Sequence, residues 1–279
     1  MKYGFVVDVA DIHTIGDLTH EAEAAGWDGV FIGDVISLDM GKGKTIPLYD
    51  VWITLAVMAM RTERIHIGTT ITAMTRRRPW KLAREALTID HLSKGRLIMG
   101  VGLGAANHDT GFSKVGEPTE LKTLAQRLDE GLEILTGLWT GKPFSFEGEH
   151  YRVEKMSMLP KPVQRPRIPI WVVGVWPKEK SMRRAMKWDG VIPQKYKSME
   201  RVTPAEVAAI KQSADEQRGH VGGFDIIVGG ETGGSTLKQA VKKVRPFAEA
   251  GATWWLESVM TQSADELRKR IKKGPPRLE

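Results

Sequence analysis

IHIGTTITAMTRRRPWKLAREALTIDHLSKGRLIMGVGLG, residues 65–104, decides the fold. It opens with a short β-branched run, Ile65 to Thr70, which favours a strand. Pro79 stands where a first helical turn tolerates proline, because its missing N–H has no partner there. Leu82, Ala86, Ile89 and Leu92 then recur at helical spacing. Gly95 ends the helix, and a second apolar run, Leu97 to Val101, leads into Gly102-Leu103-Gly104. The unit reads as strand, helix, strand in parallel, so both strand ends reach the same face of a sheet.

The same rhythm extends outward in both directions. Strands are expected at residues 3–7, 29–32, 65–70, 97–101, 170–173, 190–192, 224–228 and 254–256, with a helical stretch after each. Eight strands each followed by a helix predict a (β/α)8 barrel, with a doubly wound open sheet as the alternative. The whole chain, 1–279, is expected to form that one domain. Residues 142–168 break the pattern. There Phe144, Phe146, Tyr151 and Val153 flank Glu147-Gly148-Glu149-His150, which predicts a β-hairpin inside an insertion before the fifth strand.

Composition narrows the functional classes. The chain has 279 residues, no cysteine and a net charge of +7. Without cysteine there is no disulfide, thiolate metal site or cysteine nucleophile. The basic residues are interspersed with acids and lack interleaved aromatics, which fits an anionic small ligand better than nucleic acid. No apolar run is long enough for a bilayer, and the N-terminal MKYGFVVDVAD lacks a secretory pattern, so a cytoplasmic location is expected.

In a barrel the site lies at the C-terminal strand ends. That rule picks out Asp8, Asp11, Gly33, Asp34, Thr70, Ile71, Gly102, Gly104, Asn107, His108, Asp109, Gly174, Val175, Gln194, Lys195, Gly229 and Glu257. The rim is mostly small or apolar, which suits a planar ring rather than a metal. No histidines are spaced as ligands, and no G-x-S-x-G is present. Exposed backbone N–H groups at Gly102, Gly104 and Gly174 are placed to meet a phosphate, with Lys195 as countercharge. His108 and Asp34 are the candidate acid/base groups, with His13 as another nearby imidazole. Arg76-Arg77-Arg78 at a helix start opposes the helix dipole, so an anionic ligand or an internal acid such as Glu85 is expected to face it. Alternation sends one of Trp254 and Trp255 into the barrel, where it is a candidate wall of the pocket. His66 is expected between strands and helices. Helix 51–60, VWITLAVMAM, is apolar nearly all round and is expected to be covered on more than one side.

The string RRRPWKLAREALTIDHLSKGRLIMGVGLG resembles the bacterial luciferase-like, flavin-dependent oxidoreductases. LDEGLEILTGLWTG, FSFEGEHYRV, LPKPVQRPRIPIWVVGVWP and RRAMKWDGVIP continue that resemblance in order along the chain. It implies a (β/α)8 barrel that binds FMN or the deazaflavin coenzyme F420, exchanges hydride with it or activates oxygen on it, and acts on a small organic substrate. It also implies a homodimer, and an insertion that helps to close the mouth. The matching cofactor positions are Thr70 and Ile71, where relatives carry a non-prolyl cis peptide behind the ring, and Gly102, Gly104, Val173, Gly174, Val175 and Lys195 along the tail. Two departures stand out. Some relatives carry histidine after the acid of the second strand, where this chain has Asp34-Val35. Luciferase-type enzymes carry an arginine at the position of Leu103. A flavin-binding protein without turnover and a phosphate-binding barrel isomerase or aldolase are the rival readings.

Overall fold

The computed structural model describes residues 1–7, 11–38, 45–104, 111–198, 200–219, 223–233, 236–259, 261 and 263–278. Eight parallel strands close into a barrel, bounded by β1 (Lys2–Val6), β2 (Gly29–Asp34), β3 (His66–Ala73), β4 (Leu97–Gly102), β7 (Ile170–Trp176), β8 (Gly190–Lys195), β9 (Asp225–Gly230) and β10 (Trp254–Glu257). Around them lie α1 (Ile12–Ala24), α2 (Val51–Arg61), α3 (Pro79–Leu92), α4 (Leu121–Trp139), α5 (Glu179–Ala185), α6 (Pro204–Arg218), α7 (Leu237–Glu249) and α8 (Ala264–Lys272). Helix starts follow local chemistry. Asp11 and Asp50 accept backbone N–H groups at the starts of α1 and α2. Thr203 and Glu206 cap α6 reciprocally, and Pro79 and Pro204 open their helices.

Alternation divides the barrel into two cores. Outward residues such as Phe5, Val101, Val172, Val191 and Val228 are buried beneath the helices. A separate interior cluster holds Phe31, Ile98, Trp171, Ile227, Trp254 and Leu256. Its rings interlock: centroids lie 5.3 Å apart for Phe31 and Trp171, 5.2 Å for Trp171 and Trp254, and 5.7 Å for Phe31 and Trp254. Glycine leaves room for them, since an added Cβ at Gly29 would lie 2.7 Å from Phe31 and one at Gly190 2.7 Å from Trp171. These aromatics come from the early residues of their strands, so they seal the end of the barrel away from the mouth.

Two expectations change here. Trp254 does point inward, but it pairs with Lys2 at the start of β1 and belongs to that closed end. It therefore cannot wall a pocket at the mouth. His66 also points inward, its ring 5.9 Å from Trp254, because it shares strand parity with Gly68, which backs onto Phe31.

Residues 142–168 contain an antiparallel pair, β5 (Phe144–Glu147) and β6 (Arg152–Met156). Their turn is pinned to α4: the Glu130 carboxylate accepts N–H groups of Glu149 at 2.9 Å and of His150 and Tyr151 at 3.0 Å. The return path is fastened to α3. His91 meets the Lys161 carbonyl at 2.8 Å, and buried Asp90 accepts Val163 N–H at 2.6 Å and the Gln164 amide at 2.8 Å. Through these contacts the segment packs against α3 and α4.

Candidate functional site

At the mouth the interior opens. Val6, Gly33, Thr70, Ile71, Val173, Ile192 and Gln194 face the lumen or its rim and are accessible, while outward neighbours such as Phe5, Asp34, Val172 and Val191 are buried. Gly229 is exposed although it lies within a barrel strand, and among the described residues a Cβ added there would meet only the Leu256 carbonyl, at 3.7 Å. Among the described residues these positions outline an apolar recess above the aromatic floor.

One wall of the recess carries a bulge. From Gly68 to Thr72 β3 advances four residues while β4 advances three, from Ile98 to Val101. The same extra residue appears against β2, where Ile32 to Asp34 faces Thr69 to Thr72. The Thr70–Ile71 peptide in this bulge is cis, as the resemblance implies. The neighbouring glycines accommodate it. A Cβ on Gly100 would lie 2.2 Å from the Thr69 carbonyl, and one on Gly102 would lie 3.1 Å from both Ile71 and Val173. Gly102 therefore serves first to let β3 protrude.

The other glycines also have packing roles. Gly104 adopts φ +89°, and a Cβ there would lie 2.6 Å from Phe112. A Cβ on Gly174 would strike Val191 at 2.7 Å and Met182 at 2.8 Å, in the layer beneath α5. Only its backbone is available to a ligand. Val173 and Val175 face the recess and are accessible. Lys195 is already engaged, with Nζ 3.4 Å from Glu200 and 3.5 Å from Glu206. Sequence reading had no signal for that pairing, because Glu206 acts mainly as the cap of α6.

Asp34, a candidate acid/base group in the sequence, is paired with two arginines. Its side chain is 3% exposed, and both carboxylate oxygens receive Arg77, at 2.8 Å from Nε and 2.9 Å from Nη2; Arg76 Nη2 donates to it as well. Three donated hydrogen bonds from two guanidinium groups occupy most of the carboxylate's acceptor positions and hold it in its ionised form. Arg77 also approaches Asp50 at 3.6 Å and Glu85 at 3.9 Å. Burial alone lowers the Arg77 pKa, but the Asp34 hydrogen bonds and the surrounding acids outweigh it and raise it above its usual value. The arginine run is thus largely answered from within, as the Glu85 alternative anticipates. Asp50, the cap of α2, was not expected there.

His108 lies outside the described residues, as do Asp8, Asn107 and Asp109. His13 is exposed in the first turn of α1. Glu257 is fully buried and turned away from the recess: it accepts Thr232 N–H at 2.6 Å, Trp255 Nε1 at 3.0 Å and Arg270 Nε at 3.1 Å, tying α8 to the barrel. Tyr196, which the sequence did not single out, is exposed at the end of β8 with Lys178 Nζ 3.8 Å from its ring centre.

An accessible apolar slot, a bulge against one wall and few free charges fit a planar, polar-edged ring. The chain belongs to the luciferase-like monooxygenase family, whose profile matches residues 4–278. Among its relatives is the F420-dependent glucose-6-phosphate dehydrogenase of Intrasporangium calvum, 32% identical over 163 residues, which are 58% of this chain and 48% of that one. The enzyme of the same name from Nocardia farcinica is 30% identical over 213 residues, 76% of this chain and 62% of the relative. The aligned stretch thus spans about half to three fifths of these two relatives' lengths. The fold is shared with an F420-dependent secondary alcohol dehydrogenase solved with an F420–acetone adduct: TM-score 0.80 at 15% identity, covering 99% of this chain and 98% of that one. Among the described residues, no helix is long and apolar enough to cross a membrane.

Proposed function

We propose that this protein is an oxidoreductase that binds F420 or FMN in the mouth recess and acts on a small organic substrate. The observation that carries this reading is the β3 bulge facing an accessible, apolar recess with an open position at Gly229. A flat ring seated there is backed by Thr70 and Ile71, with Val173 and Ile192 against it. Its tail runs past the backbone of Gly102, Gly104 and Gly174 and past Val175, toward Lys195. The cofactor supplies the hydride chemistry, and the chain binds, orients and shields it. The relatives' names favour the deazaflavin.

The test is titration of the protein with FMN and with F420, followed by absorbance and fluorescence. Stoichiometric binding of one of them, and its reduction by a member of an alcohol and aldehyde panel, is the expected result. Failure to bind either overturns the reading. A second reading, cofactor binding without turnover, is favoured by one observation: Asp34 is locked by arginines and is followed by Val35. Binding without turnover across the panel selects it.

We also propose a homodimer through α2. Ile53 and Met60 are 64% and 69% exposed on its outer side, two large apolar groups with no cover in the monomer. Ile53→Glu should convert a dimer to a monomer in light scattering. A parent protein that is already monomeric well above micromolar concentration overturns this.

A further inference from the structure

Three buried polar atoms without a hydrogen-bond partner lie close together in sequence at the mouth end of β3: Thr70 Oγ1, Thr72 Oγ1 and Arg76 Nε. An unpaired buried donor is costly. Of the three, Thr70 Oγ1 belongs to a residue at the recess, Thr72 is fully buried on the outer side of β3, and Arg76 follows the bulge. The arginine is the most informative of the three. Arg77 is fully engaged, by both Asp34 oxygens and by Asp50 and Glu85. Arg76 shares only one of those oxygens, through Nη2, while its Nε makes no hydrogen bond. Its side chain is 12% exposed, and its guanidinium lies 5.9 Å from the centre of the Phe112 ring. Two buried cations therefore share one buried carboxylate, and the positive charge left over belongs to Arg76, directly after the bulge.

We infer that Arg76 binds the ligand of the recess, donating to an acceptor atom on the carbonyl-bearing edge of the flavin or deazaflavin ring. The inference rests on the proposed function and names the group that recognises the ring's polar edge. Asp34 is then a positioning residue, which acts by holding Arg76 in place. A cation at that edge has a consequence for potential. Reduction by two electrons and one proton, supplied in the test by dithionite and water, leaves the ring with one more negative charge. Arg76 stabilises that form more than the oxidised one.

The experiment compares the parent chain with Arg76→Gln, Arg76→Lys and Arg77→Gln. Dissociation constants for FMN and F420 are read by fluorescence, the potential of the bound cofactor by dye equilibration under dithionite, and the folded state by thermal unfolding. Arg76→Gln should weaken binding about ten- to a hundredfold, as expected for a lost charged hydrogen bond, and make the potential more negative. Arg76→Lys should restore the potential in part, because the charge returns without the Nε donor. Its unfolding should stay close to the parent's, since Arg77 still holds Asp34, whereas Arg77→Gln should lower the unfolding temperature. The inference is overturned if Arg76→Gln binds both cofactors as the parent does with unchanged potential. It is equally overturned if Arg76→Gln destabilises the fold as much as Arg77→Gln and Arg76→Lys restores no potential. If the parent itself binds neither cofactor, the proposed function fails with it, and that failure is visible before any variant is made.

Discussion

The two ends of the barrel obey the same alternation and reach opposite outcomes. At the closed end, inward positions hold Phe31, Trp171 and Trp254, and glycines stand opposite to make room for them. At the mouth the inward positions hold Val6, Ile71, Val173, Ile192 and Gly229, and they remain accessible. Volume explains the difference. Three interlocked rings fill the lumen below, whereas above them small and medium side chains leave a recess. Unpartnered buried polar atoms occur at both ends. Near the floor Trp171 Nε1 finds Asp225 at 3.1 Å but His66 Nδ1 has no partner, and near the mouth Thr70, Thr72 and Arg76 keep unpartnered atoms. The floor is filled by interlocked rings, and the mouth stays accessible.

The comparison can be broken most forcefully at the floor. Trp254→Ala should cost about 3–5 kcal/mol by urea unfolding, because a fully buried aromatic leaves a cavity. Cofactor affinity per folded molecule should stay near the parent's. Were affinity to collapse while stability held, the division between the ends would be wrong.

Next in size is the anchor behind the mouth. Asp34→Asn leaves Arg76 and Arg77 without their shared carboxylate, and breaking a buried pair costs about 3 kcal/mol or more. Asp50 and Glu85 remain near Arg77 and keep the effect at the low end. Equilibrium unfolding checks this. A stability change near zero would show that the arginines do not need Asp34.

Gly229→Leu sharpens the other side. A Cβ there makes no contact closer than 3.7 Å among the described residues, so stability should move by only about 0.5 kcal/mol, as at an unconstrained surface. The side chain would enter the recess, and FMN or F420 binding should fall at least about tenfold, a loss of about 1.4 kcal/mol. Unchanged binding would place the ligand elsewhere.

The smallest effect concerns pH at the floor. Burial, and then the charge of Lys2, holds the His66 pKa below its ordinary 6.5. The unfolded chain therefore takes up a proton at higher pH than the folded one does. The contribution of His66 is complete above 6.5 and is lost as pH falls toward its folded value. His66→Gln should flatten that part of the stability profile measured by thermal unfolding between about pH 7 and 5, around the histidine range. An identical slope in the variant would assign the acid sensitivity to other groups.

Much of this was legible in the chain. Residues 65–104 show the strand–helix–strand unit through β-branching, Pro79, Gly95 and helical spacing, all local signals. The structure places β3 and β4 there, running slightly longer than expected. Strand ends then named the rim without any geometry. What a residue does at the rim was harder to read, because that depends on partners far away in sequence. Asp34 looked like an acid/base group until Arg76 and Arg77 were brought to it. Lys195 looked free until the capping residue of α6 reached it. The sequence offered the backbone of Gly102 and Gly174 as phosphate contacts; it could not show that a side chain there would meet Ile71 and Val173 in one case and Val191 and Met182 in the other.

By itself, then, the sequence determined the alternation of strand and helix, the hairpin within residues 142–168, and the family, because hydrophobic period, turn residues and motif spacing are written along the chain. Only the tertiary structure decided which end the tryptophans close, where the hairpin lies, and which charges are spent. Those outcomes depend on lumen volume and on pairings between residues tens of positions apart, as between Asp34 and Arg77. No local pattern encodes a distance between separate strands until the barrel closes and brings them together.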